Sequence, residues 1–138
     1  MKTKVVVGAL VIALIGVSSA FYLYRKPAEH VVTANSVYTL SADQLFKEFQ
    51  LSEATANQKY LNQVITVKGR IADLSAVDSL GINIVLATDN PLFGVNCQVP
   101  GGDESGTLKP GDKVSIKGLC TGILMDVVLI KCRIEYSK

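Results

Sequence analysis

Between Gln63 and Ile71 the chain alternates, with Ile65, Val67, Gly69 and Ile71 on one parity and Thr66, Lys68 and Arg70 on the other. A period of two sends successive side chains to opposite faces of an extended strand, so one face can be buried and the other left in water. An amphipathic helix cannot use that pattern. The alternation returns in Val114, Ile116, Gly118 and Cys120, set against Ser115, Lys117 and Leu119. After a turn around Gly122 to Asp126 it predicts Val128, Ile130, Cys132 and Ile134 as an inward set. Two more strands are predicted at Gly81 to Ala87 and near Phe93 to Val99, and the Gly101 to Gly106 loop and the Pro110-Gly111-Asp112 turn lead into the fourth. Three strands, a loop and a hairpin predict a mainly β chain built as the partly open five-stranded Greek-key barrel of the OB-fold, over residues 62–138.

A helical lead-in is expected over residues 41–61. Ser41-Ala42-Asp43-Gln44 has the form of a capping box, in which the serine oxygen accepts from the amide three residues on and Gln44 reaches back. Leu45, Phe46 and Phe49 then share a helical face, and a second cap at Ser52 opens a shorter helix from Ala54 to Tyr60. Pro27 to Ser36 shows no apolar periodicity, and residues 27–40 read as a juxtamembrane linker. The only histidine, His30, falls there without a partner and receives no role.

Val5 to Tyr24 is a run of twenty residues without a charge, which as a helix spans roughly 30 Å, the thickness of a bilayer core. Phe21, Tyr22 and Tyr24 gather at one end, and Arg25 and Lys26 follow as interfacial anchors. Residues 1–26 therefore read as an N-terminal transmembrane anchor, which makes the membrane a partner and places the C-terminal domain outside the cytoplasm. The rival reading is a cleaved secretory signal, with Lys2 and Lys4 as its basic region and Ser18-Ser19-Ala20 as its small-residue site. Cleavage after Ala20 would leave Phe21 to Tyr24 as an exposed apolar terminus, which favours the anchor.

The formal charge of the whole chain is +2, but Lys2, Lys4, Arg25 and Lys26 all flank the apolar run. Beyond Lys26 ten basic residues face twelve acidic ones. The folded portion is slightly acidic, and net charge gives no argument for a polyanion-binding domain.

Across the chain the residues Ala54-x-Ala56-Asn57-x-Lys59-Tyr60, Ile65-x-Val67-x-Gly69, Gly94-Val95-x-Cys97, Lys109-x-Gly111-Asp112-x-Val114-x-Ile116-x-Gly118-x-Cys120-x-Gly122 and Asp126-Val127-x-Leu129-x-x-Cys132 recur in order. In these the chain resembles the tRNA-anti-like family of envelope-associated OB-fold proteins, over roughly Ser41 to Ile134. The resemblance implies an OB-fold described as nucleic-acid-binding by likeness to anticodon-binding domains, and often attached to membranes as a lipoprotein. Here an apolar run stands where a lipidated cysteine would be. No catalytic residues come with the family.

Single-strand binding by an OB-fold ordinarily uses aromatic rings and cations on the outer face of the second and third strands. The outward residues expected there, Asn83, Val85, Ala87, Gly94, Asn96 and Gln98, include neither. The cations lie on other strands: Lys68 and Arg70 on the first, Lys113 and Lys117 on the fourth, Lys131 and Arg133 on the fifth. They form a candidate stripe for anionic headgroups or a polyanion, and the plainer reading is a solvated face with protective charges. Ile123, Leu124 and Met125 form a second candidate contact in the turn between the last two strands, against the commoner use of such side chains in closing a barrel end. Cys97, Cys120 and Cys132 share inward parity, so three buried thiols or one disulfide joining Cys132 to Cys120 or Cys97 are both open.

Catalysis, a metal and a cofactor are not expected. The folded portion has no histidine base, no nucleophile elbow and no phosphate loop, and the cysteines are not metal-spaced. The expected function is noncovalent recognition of a protein or envelope component, with single-stranded nucleic acid as the alternative ligand.

Overall fold

The computed structural model describes residues 1, 6–7, 12–13, 15–19, 35–77, 81–101 and 107–135. Its elements are β1 (Tyr38–Ser41), α1 (Ala42–Leu51), α2 (Glu53–Tyr60), β2 (Val64–Ala76), β3 (Gly81–Leu86), β4 (Val95–Pro100), β5 (Lys113–Ile123) and β6 (Val127–Glu135). The first half of β2 pairs with β5 and its second half with β3, both antiparallel. β3 pairs antiparallel with β4, β4 runs parallel to β6, and β6 returns antiparallel to β5. The ring β2-β3-β4-β6-β5 is therefore closed, the expected OB-like barrel but with every strand of the ring paired.

Strand β1 was not expected. It lies parallel to β2, with Tyr38 opposite Ile65 and Ser41 opposite Lys68, and its last residue caps α1. Part of the span read as a linker thus belongs to the sheet: buried Leu40 joins the core while Thr39 stays exposed, the alternation of a strand with one dry face.

Both helix caps form as the sequence predicts: Gln44 N donates to Ser41 Oγ at 3.1 Å and Thr55 N to Ser52 Oγ at 3.4 Å. The return half of the first box does not, because the Gln44 amide donates down the helix to Glu48 Oε1 at 3.2 Å. Leu45, Phe46 and Phe49 of α1 and Ala56 and Tyr60 of α2 are buried in one cluster with Ile65, Val67, Ile84, Leu86, Ile116 and Leu129 of the barrel. Removing these side chains from water is the main force holding helices and barrel together.

One inward set is corrected. In β6 the buried residues are Val127, Leu129, Cys132 and Ile134, whereas Val128 and Ile130 are only half-buried. Lys131 has φ 53° and lies beside a register shift between Lys117 and Leu119. It is a β-bulge residue, and the extra position reverses the parity of everything before it. The other inward sets fall as expected, including all three cysteines.

Among the described residues no helix is long and apolar enough to cross a membrane. Val6–Val7, Ile12–Ala13 and Ile15–Ser19 are helical with exposed side chains. The rest of the predicted anchor, and the segment carrying His30, lie outside the described residues.

Candidate functional site

The closure of β2 onto β5 assembles the site. Their register sets Lys68 opposite Ser115 and Arg70 opposite Lys113, while β1 adds Ser41 on the other side of Lys68. Side chains of β1, β2 and β5, with Ile134 and Glu135 of β6, thereby line an open groove of about 820 Å³. Its cations are Lys68, Arg70 and Lys113, its hydroxyls come from Ser36, Thr39, Ser41, Thr66 and Ser115, and Leu108, Val114 and Ile134 supply an apolar margin. Asp43 and Glu135 also line it.

Among the described residues these cations and carboxylates do not pair with one another. The Asp43 carboxylate accepts the Asp89 amide at 2.6 Å. Glu135 holds Lys117 Nζ at 3.2 Å and accepts the Thr66 hydroxyl at 3.4 Å. Among the described residues, Lys68, Arg70 and Lys113 make no ion pair. Arg70 and Lys113 are direct cross-strand partners, as are Lys117 and Arg133. Like charges so placed destabilise a sheet, so the face carries a cost that a bound anion would remove.

Of the six stripe residues, the structure brings Lys68, Arg70 and Lys113 into the groove and sets Lys117 and Arg133 next to it in register. Lys131 is set apart on the bulge. The hydroxyl residues of β1 escaped the sequence reading because Val37-Tyr38-Thr39-Leu40 is too short a run to stand out, although its β-branched and aromatic character was the available signal.

The Ile123 to Met125 turn is at the far end of the β5–β6 hairpin, since the groove end pairs Ser115 with Glu135 and the turn end pairs Ile123 with Val127. Barrel closure describes only Ile123, which packs against the core; Leu124 and Met125 are 89% and 70% exposed. The hairpin is fixed there by Asp126, whose carboxylate accepts the Gly94 amide at 2.8 Å.

The outer face of β3 and β4 presents Asn83, Val85, Asn96 and Gln98, a neutral surface without rings. Phe93, beside it, packs against the core. All three cysteines are free and buried. A hydrogen bond with Cys132, with burial, pushes the Cys97 thiol well above its ordinary value. Burial also pushes Cys120 up.

Comparison with known proteins agrees with this architecture. The tRNA_anti-like family model matches residues 1–134. A solved structure of a candidate nucleic acid-binding lipoprotein from Klebsiella pneumoniae subsp. pneumoniae MGH 78578 superposes with a TM-score of 0.59 at 18% identity, over 81% of this chain and 100% of that one. At that identity the likeness shows the fold alone. No curated protein matches the chain.

Proposed function

Starting from a chain that belongs to the tRNA_anti-like family, we propose a membrane-anchored, non-catalytic OB-fold module that recognises a protein or envelope component outside the cytoplasm. The observation that carries this reading is where the polar chemistry lies. The β3–β4 face has no stacking ring and no charge, while the β1–β2–β5 face has an open groove with three cations that make no ion pair among the described residues. Each missing ring forgoes roughly 1–3 kcal/mol of single-strand affinity. Anchoring rests on the uncharged run from Val5 to Tyr24 and the aromatic and basic residues that end it. Beyond the linker the sequence offers no histidine base, no nucleophile elbow and no phosphate loop to support catalysis.

Single-stranded nucleic acid is the second reading. It is favoured by the description of the Klebsiella protein as a candidate nucleic acid-binding lipoprotein and by the cations of the groove.

Protease treatment of intact spheroplasts, with detergent-lysed membranes as control, separates the two. Digestion without detergent supports a domain outside the cytoplasm. Protection until lysis overturns that placement and makes oligonucleotide binding the leading reading.

A further inference from the structure

We infer that the β1–β2–β5 groove is a binding site for a phosphoryl headgroup, the anionic phosphodiester of a small polar molecule. The inference rests on the reading of this chain as a recognition module and names its ligand class. Three properties of the groove support it. First, Lys68, Arg70 and Lys113 converge without carboxylate partners among the described residues, and the Arg70–Lys113 pairing is repulsive until an anion is placed over it. An arginine fork flanked by two lysines suits the several oxygens of a phosphoryl group.

Second, apart from Asp43, whose carboxylate accepts the Asp89 amide, and Glu135, which is held by Lys117 and Thr66, the rest of the lining is hydroxyl and apolar. Thr39, Ser41 and Ser115 can donate to or accept from a polyol body, and about 820 Å³ exceeds the needs of a lone inorganic anion. Among the described residues nothing in the lining is aromatic, so none of them offers a platform on which a base would stack. That favours a headgroup over a nucleic acid.

Third, Ser36 lines the groove and follows Lys26 by ten residues, a tether that reaches at most roughly 33–36 Å. The groove therefore opens within reach of the surface at which the apolar run would end. A lipid headgroup and a soluble glycerol phosphodiester share the required chemistry, and the experiment separates them.

The full chain is placed in neutral phosphatidylcholine nanodiscs, and the amides of Gly69 and Ser115 are followed by NMR during titration with glycerophosphoglycerol. Saturable shifts at both amides are expected. Replacing all three cations, Lys68→Gln, Arg70→Gln and Lys113→Gln, weakens binding at least about tenfold; Lys131→Asn, which removes a cation away from the groove, changes it by less than about twofold. Because the triple variant relieves repulsion it should keep the native spectrum elsewhere, and Arg70→Gln alone gives the same direction of change with least perturbation.

In discs containing phosphatidylglycerol, amides already shifted before titration identify the lipid as the source. Amides shifted only on adding glycerophosphoglycerol identify a soluble one. Absence of shifts in both discs overturns the inference, as does binding that survives the triple variant. It is also overturned if a deoxythymidine oligomer shifts the groove amides at lower concentration than the headgroup does. If the groove is silent while a stoichiometric envelope protein still co-purifies with the full chain, the recognition reading stands and only this assignment falls.

Discussion

Lys117 Nζ lies 3.2 Å from Oε1 of Glu135, across the β5–β6 pairing at the edge of the groove. The same carboxylate accepts the Thr66 hydroxyl at 3.4 Å, so one acidic side chain ties β2, β5 and β6 together beside Lys68, Arg70 and Lys113. Glu135→Gln releases Lys117 and removes a negative charge from the groove wall. Affinity for glycerophosphoglycerol is expected to rise several-fold. A partly exposed pair of this kind is worth at most about 1 kcal/mol, so the thermal midpoint should fall only slightly. Unchanged or weaker binding, measured by the same NMR titration, would count against the groove.

Glu48 predicts the acid limb of stability. Burial would raise its pKa, but hydrogen bonds from Tyr60, Lys59 and Gln44 outweigh burial and hold it below the usual 4.5. A carboxylate depressed in the folded state adds stability above its unfolded value, and that contribution is lost as pH falls through the folded one. Glu48→Gln should therefore be less stable than the parent at neutral pH, with the difference closing below about pH 4.5. Tyr60→Phe removes the 2.7 Å bond to Glu48 and should cost about 1 kcal/mol. Urea titrations at pH 7 and pH 3 check both.

The barrel was legible in the sequence because strict alternation, as in Ile65, Val67 and Ile71, leaves little choice of face once one side is buried. Three features escaped for physical reasons. The Lys131 bulge reversed the inward set, since a left-handed φ at a lysine has no periodic signature. The short β1 gains its stability from pairing with β2, a tertiary contact invisible to local pattern. The groove depends on register: Lys68 and Lys113 are far apart in sequence and share a face only because Arg70 pairs with Lys113. The sequence supplied the cations but not the hydroxyls of β1 between which they sit.

Gly118 is required by close packing. A Cβ there would lie 2.5 Å from Cys132 Sγ, so Gly118→Ala should cost about 1–3 kcal/mol. Adding Cys132→Ala removes the obstructing sulfur. The double variant is expected to be more stable than the sum of the two single costs predicts, by at least about 0.5 kcal/mol in a denaturation cycle. Strict additivity would mean the two residues do not meet.

The thiols should be inert in the native protein. The hydrogen bond with Cys132, together with burial, raises Cys97, and burial raises Cys120, above their ordinary values, which keeps the reactive thiolate scarce at pH 8. Slow labelling by a thiol reagent before unfolding is expected, with three free thiols counted after unfolding without reductant. A count of one would show that a disulfide had formed, and the contact of Cys132 with Cys97 identifies the pair to map.

Recognition through the β1–β2–β5 groove and not the β3–β4 face is tested in living cells by a photo-crosslinking residue placed in the full chain at Ser115 and, separately, at Gln98. Adducts to an envelope component from Ser115, with none from Gln98, are the predicted result. Adducts from Gln98 alone, above all to nucleic acid, would contradict it.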